Sequence, residues 1–143
     1  MKEVQTNVTT SRTPEEVYAY LADFANQAEW RFDVLESELV EGEAGQVGAL
    51  YRQKIKQGKR ELESKVEETQ AEAPRVVAFQ TVDSNPVQAS GAWTISRRGD
   101  QTHVVCDVAI EAKGFLRLFE PFMGPSLRKT AARYEQDLAR TLA

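Results

Sequence analysis

Between Phe32 and Ala112, apolar and polar side chains alternate at a period of two; after Gly114 the period changes to threes and fours. The first is the period of β-strands, whose successive side chains face opposite sides of a sheet, and the second lines one stripe of an α-helix. The stripe comprises Phe115, Phe119, Phe122/Met123, Leu127, Ala131, Tyr134, Leu138 and Leu142. A one-sided helix after a run of antiparallel strands predicts a helix laid across a curved sheet. The space between them then becomes the place to look for function.

The remaining elements follow from local signals. Val4, Thr6 and Val8 alternate with Gln5, Asn7 and Thr9 as a first strand. Thr13 before Pro14, with Glu16 three residues on, is the start of a helix with a capping box. Val17, Tyr20, Leu21 and Phe24 supply its apolar stripe, and Asn26 to Trp30 predicts a second short helix. A strand over Phe32 to Val40, bent near Glu36, ends at the turn glycines Gly42 and Gly45. Val47, Ala49, Tyr51, Gln53 and Ile55 share one face of the next strand, which turns at Gln57-Gly58-Lys59. Leu62, Ser64 and Val66 follow, then Val77, Phe79 and Thr81 after the break at Pro74. Val87, Ala89, Gly91, Trp93 and Ile95 follow the Asn85-Pro86 turn, and Val104, Cys106, Val108 and Ile110 follow Gly99-Asp100. Proline removes a hydrogen bond from a helix interior. Pro121 and Pro125 therefore divide the last stripe into a short helix over Phe115–Glu120, a break, and a main helix from about Pro125. The prediction is an α+β fold, one domain over residues 1–143, with about seven antiparallel strands wrapped around a long C-terminal helix.

This order, and the stretches that punctuate it, resemble the helix-grip fold of the START/birch-pollen-allergen-like superfamily (SRPBCC), in its bacterial polyketide cyclase/dehydrase-like branch. The resemblance rests on Thr13-Pro14-Glu15-Glu16-Val17-Tyr18, Trp30, the Gly45–Gly48 turn, Gly91-Ala92-Trp93-Thr94-Ile95, Gly99-Asp100-Gln101-Thr102, Gly114-Phe115-Leu116-Arg117-Leu118 and Asp137-Leu138. It implies a cavity between sheet and helix for an apolar or amphipathic small molecule. It implies no single reaction, because the superfamily includes lipid carriers, hormone receptors and aromatase/cyclases, and a shared fold is not a shared function.

Composition narrows the partners. At 143 residues the chain buries roughly 70% of its unfolded surface as one domain. A net charge of −4 argues against nucleic acid, which requires a basic face. One cysteine excludes an intrachain disulfide, the polar Met1 to Thr10 segment lacks a signal-peptide core, and no apolar run approaches a membrane span. A cytoplasmic protein, monomer or homodimer, with no integral membrane association is expected.

Candidate chemistry is sparse. His103, the single histidine, falls on the face opposite Val104 and Cys106, so it points away from the cavity and cannot serve Cys106 as a base. Cys106 faces inward as a small apolar group without a cation in its row. No spacing suggests a metal site, and no cofactor is implied. Alternation turns most of the acidic run Glu61, Glu63, Glu67 and Glu68 outward. More informative are Tyr51, Gln53, Ser64, Thr81 and Trp93, polar groups on inward faces, which need partners from each other, water or a ligand. They are expected to orient a ligand against Val47, Ile55, Leu62, Phe79, Cys106, Val108, Leu127 and Tyr134, unless large side chains fill the space. Gly124, with Phe119, Phe122 and Met123, would form a gate or a plain kink. Arg128 would anchor an acidic head group or face solvent. No catalytic residue is assigned. The leading expectation is a binding module for a lipid, isoprenoid or polyketide-like molecule. The alternatives are a cyclase/dehydrase built on Tyr51 with Gln53 or Ser64, and an interaction module with a sticky patch at Leu116 and Leu118.

Overall fold

The computed structural model describes residues 2–82, 87–112 and 124–143. Strand β1 (Lys2–Thr10) leads into helix α1 (Pro14–Ala22), a 3₁₀ turn (Phe24–Asn26) and helix α2 (Gln27–Trp30). Strands β2 (Val34–Glu41), β3 (Leu50–Gln57), β4 (Arg60–Glu72), β5 (Val76–Val82), β6 (Val87–Arg98) and β7 (Gln101–Ala112) follow, and helix α3 (Gly124–Thr141) closes the fold. The strands form one antiparallel sheet in the order β1-β7-β6-β5-β4-β3-β2.

The local signals act as read. Thr13 caps α1, its hydroxyl accepting from the Glu16 amide at 3.2 Å, with Pro14 in the first turn. The β3–β4 register closes at Gln57↔Arg60 around Gly58, whose φ of 63° glycine adopts without strain. The bend foreseen near Glu36 is a register shift between Val34 and Glu36. The expected Phe115–Glu120 helix and the Asn85-Pro86 turn lie outside the described residues.

Two expectations about the inner face fail. Val47 is 63% exposed because β3 begins only at Leu50; the preceding turn is closed by Gly48 N–H to Glu68 O and Ala49 N–H to Gln46 O. Leu62 is 44% exposed because it sits close to the β3–β4 hairpin tip, beyond the covered part of the face. Within the acidic run, Glu68 is the exception: it shares the even-numbered face of β4 with Val66 and is buried.

Helix α3 runs alongside β1 in the same direction. Its Glu135 accepts from the Asn7 amide at 2.9 Å, and its Leu142 carbonyl accepts from the Thr10 hydroxyl at 2.6 Å. Seven helical residues and three strand residues both advance about 10 Å, so the two elements keep step. The first turns of α3 therefore extend toward Lys2 and Val4, which pair with Ile110 and Val108. Helix α1 packs instead on β5 and β6.

The inner face thus has two ends. Under α1 lie Tyr51, Val66, Val77, Trp93, Ile95 and Val104, all buried. Phe24 drops onto them, with ring centroids 5.2 Å from Tyr51, 5.8 Å from Trp93 and 6.2 Å from Phe79, while Phe79 and Trp93 stack at 5.1 Å. Each such pair contributes about 0.5–1.5 kcal/mol beyond its burial. Gly91 makes room for this stack: a Cβ there would lie 3.1 Å from the Phe79 ring and 2.3 Å from the Asp107 carbonyl oxygen. At the opposite end Ile55, Thr81, Ala89, Val108, Ile110 and Leu127 are only partly covered.

Candidate ligand-binding site

Each end of the inner face carries a polar constellation. Under α1, Glu68 is 0% exposed. Its Oε1 accepts from the Gly45 amide at 3.1 Å and lies 3.3 Å from the Tyr51 hydroxyl, while its Oε2 is enclosed without a partner. The same hydroxyl lies 3.3 Å from Asp23 Oδ1, which also receives the Ala25 amide. One phenolic proton cannot serve two carboxylates at once. Burial, reinforced by Asp23 and opposed by the Gly45 and Tyr51 hydrogen bonds, pushes the Glu68 carboxyl up to about 7. Burial and the same two carboxylates raise Tyr51. This constellation ties the 42–49 turn, β3, β4 and the 3₁₀ turn together.

At the opposite end the centre is Arg31. Its Nη1 donates to Gln27 Oε1 at 2.9 Å, and its Nη2 donates to Tyr134 Oη at 3.0 Å and to Asp33 Oδ2 at 3.2 Å. Tyr134 in turn donates to Asp33 Oδ2, and the guanidinium lies 4.9 Å from the Tyr134 ring centroid. Burial disfavours the Arg31 charge, but Tyr134 and Asp33 outweigh it and its pKa rises. Burial lifts Tyr134 to about 12, so its hydroxyl stays protonated at neutral pH. The network continues inward: Gln53 Nε2 donates to Gln27 Oε1 at 2.9 Å and to Ser37 Oγ at 3.2 Å. Arg31 Nε and Asp33 Oδ1 are enclosed without partners. Trp30 meets Tyr134 edge-on and Phe32 meets it at a tilt, with centroids at 6.2 and 5.4 Å.

The sequence-predicted residues divide between these environments. Tyr51, Phe79 and Trp93 belong to the packed aromatic cluster, and the Tyr51 hydroxyl already has protein partners. Gln53 is buried in the Arg31 network. Cys106 is buried; burial and Asp107 push its thiol up to about 12, with Arg31 acting in the opposite sense. Thr81 bridges the β5–β6 splay, its hydroxyl accepting from the Ala89 amide at 3.0 Å and donating to the Ala89 carbonyl at 3.2 Å. Ser64, Val108, Leu127 and Tyr134 are partly buried, and Arg128 is exposed. His103 turns from the cavity face, toward Asn7 and Thr9. Phe122 and Met123, like Phe119, Leu116 and Leu118, lie outside the described residues.

Sequence reasoning missed Arg31, Asp33, Asp23 and Glu68. The signal for Glu68 was present, since it continues the inward row Leu62, Ser64, Val66. Arg31 and Asp33 stand between a helix and a strand, where no periodicity assigns a face. Two clefts are bounded by described residues. One of about 470 Å³ is lined by Arg12, Glu16, Tyr20, Asn26, Thr141 and Leu142, at the C-terminal end of α3, and one of about 120 Å³ by Gln80, Thr81, Gln88, Ala89, Ser90 and Glu111, on β5–β7. Among the described residues no three His, Cys, Asp or Glu side chains converge as a metal site, and no helix is long and apolar enough to cross a membrane.

Among solved structures, the backbone resembles a conserved protein from Geobacillus kaustophilus (TM-score 0.78, 14% identity, 99% of this chain and 95% of that one). It also resembles the Zhui aromatase/cyclase from a Streptomyces species (0.76, 17%, 99% and 93%) and a START superfamily protein from Mycobacterium smegmatis (0.75, 13%, 99% and 99%). The chain spans 46% of BexL, a di-domain aromatase/cyclase with a TM-score of 0.70 and 19% identity. At such identities these likenesses establish the fold alone. No curated protein is similar enough to match. The family model described as polyketide cyclase/dehydrase and lipid transport matches residues 1–143, and the chain therefore belongs to that family.

Proposed function

We propose that this protein binds a small apolar or amphipathic molecule at the partly covered end of the inner face, between β5–β7 and the first turns of α3. One observation carries the reading: Ile55, Ala89, Val108, Ile110 and Leu127 are apolar, sit on or against the inner face, and are not fully covered, although the other end of the same face is sealed. Their burial by a guest would supply roughly 25 cal/mol per Å² before ordering costs. The Arg31 network beside them receives the polar end. A thermal-shift screen followed by calorimetry against fatty amides, sterols, isoprenoids and polyketides tests this. At least one class should bind saturably at one site per chain; failure of every class contradicts the reading.

A second reading is a cyclase/dehydrase. Tyr134 favours it: its hydroxyl stays protonated, accepts from Arg31 Nη2 and donates to Asp33 Oδ2, and turning that proton from Asp33 to a substrate would stabilise a developing enolate oxygen. Turnover of a polyketone mimic that is lost in Tyr134→Phe would support it; absence of turnover by the unaltered protein would remove it.

A further inference from the structure

Strand β2 ends the sheet. It pairs with β3 on one side, and among the described residues no strand pairs with the other. An unpaired edge presents amide donors and carbonyl acceptors that template a further strand, and charge, bulges or proline normally blunt it. β2 carries charge and a register shift near each end but no proline, and Glu36 to Leu39 stay in regular pairing with Lys54 to Tyr51. It also leaves Leu35, Leu39 and Val40 at 42%, 39% and 44% exposed. Six large apolar side chains are exposed among the described residues, and five of them, Phe32, Leu35, Leu39, Val40 and Val47, lie on β2 or in the segments flanking it. Exposed apolar side chains scattered singly need no explanation; their concentration at one free edge marks an interaction surface.

Charge selects the occupant. On the outer face, sign alternates strand by strand. Glu61 and Glu63 of β4 lie beside Lys56 and Lys54 of β3, and Lys54 and Arg52 lie beside Glu36 and Glu38 of β2. Arg52 bridges the rows, pairing with Glu38 and, at 3.2 Å, with Glu63; Lys54 pairs with Glu61 at 3.6 Å. The row beyond β2 is missing. Glu36, Glu38 and Glu41 are exposed there, and Glu36 and Glu41 make no ion pair among the described residues. We propose that β2 is a docking edge for an extended basic segment of another protein, which adds as an eighth strand with Lys or Arg beside Glu36 and Glu38 and apolar side chains beside Leu39. A second copy of this chain does not fit, because β2 against β2 sets the same glutamates against one another, and like charges across a strand pair are destabilising. One added strand buries less than a standard interface, so the complex is reversible, in the micromolar range.

The test is calorimetric and amide-resolved NMR titration of the whole chain with a capped heptapeptide, Thr-Lys-Val-Arg-Val-Lys-Thr, whose basic side chains share one face of a strand. Saturable one-to-one binding with shifts confined to β2 and its flanks is expected. An acidic counterpart, Thr-Glu-Val-Glu-Val-Glu-Thr, and a peptide of the same composition with its basic residues grouped, Lys-Arg-Lys-Thr-Val-Val-Thr, should each bind about tenfold more weakly or worse. The double variant Glu36→Lys/Glu41→Lys should weaken the basic peptide by about tenfold and make the acidic one the better ligand. Leu39→Ser, which leaves charge unchanged, should weaken the basic peptide by about threefold. Unchanged urea midpoints guard both variants against misfolding. Absence of saturable binding at millimolar peptide, equal binding of the grouped peptide, shifts centred away from β2, or a double variant that binds like the unaltered protein overturns the inference. So does self-association, read by light scattering, that the peptide displaces, since it gives the edge to a second copy.

Discussion

The two ends of the inner face are made of similar residues but are finished differently. Under α1, Phe24 fills the hollow against Tyr51, Phe79 and Trp93, and the core is closed by side chains of the protein itself. Beyond Gln53 and Gly91 the same strands carry Ile55, Ala89, Val108 and Ile110, and among the described residues no aromatic ring plugs them as Phe24 does. The difference lies in what the connections deliver. The segment after α1 sends down an aromatic ring, whereas the segment after α2 sends in Arg31. One end is sealed by the protein's own side chains; the other keeps apolar surface that, in the proposed reading, a guest covers.

Matched truncations should expose this contrast most strongly. Phe24→Ala opens the sealed end and should cost about 3–5 kcal/mol of unfolding free energy in urea titrations, with Leu21→Ala at about 2–4 kcal/mol. Leu127→Ala, an identical chemical change at the partly covered end, should cost about 1 kcal/mol or less, because less burial is lost. Equal costs for Leu21→Ala and Leu127→Ala would erase the distinction.

The sealed end should also titrate. Glu68 binds its proton more tightly folded than unfolded, since burial lifts it from 4.5 to about 7. Its contribution is complete below pH 4.5, declines as pH rises, and is lost once pH passes about 7. From pH 5 to 8 this term should remove about 1–3 kcal/mol of stability. Glu68→Gln, neutral at every pH, should abolish that slope and be the more stable form at pH 8. A variant whose slope matches the unaltered protein would show that Glu68 is not held neutral.

A smaller effect concerns the glycine that lets the two aromatic rings stack. Gly91→Ala should cost about 1–3 kcal/mol, because its methyl meets the Phe79 ring and the Asp107 carbonyl. Phe79→Leu in the same chain should recover part of the loss. Thr81→Val should cost about 1 kcal/mol through loss of the Ala89 bridge. Denaturant midpoints measure all three.

The fold was legible because its signals are local. Alternation along β3 to β7, the Thr13-Pro14 cap and the spacing of Leu127, Ala131, Tyr134 and Leu138 each act within a few residues. The face of Glu68 was legible too, by counting on from Val66. Its effect was not: which carboxylate shares a proton with Tyr51 depends on Asp23 arriving from another element. Arg31 and Asp33 were hidden for the same reason, since a connecting segment has no period and its side chains are aimed by Tyr134, more than one hundred residues later. Val47 misled because turn closure at Gly48 and Ala49, not hydropathy, set where β3 begins.

The proposed function requires that a guest enter one end of the interior and not the other. Methyl-resolved NMR titration with decanamide reads both ends together. The prediction is saturable shifts at Val108, Ile110 and Leu127, with Val17, Leu21 and Val77 unmoved. Shifts that never saturate, or that appear first among the methyls beneath α1, would contradict it.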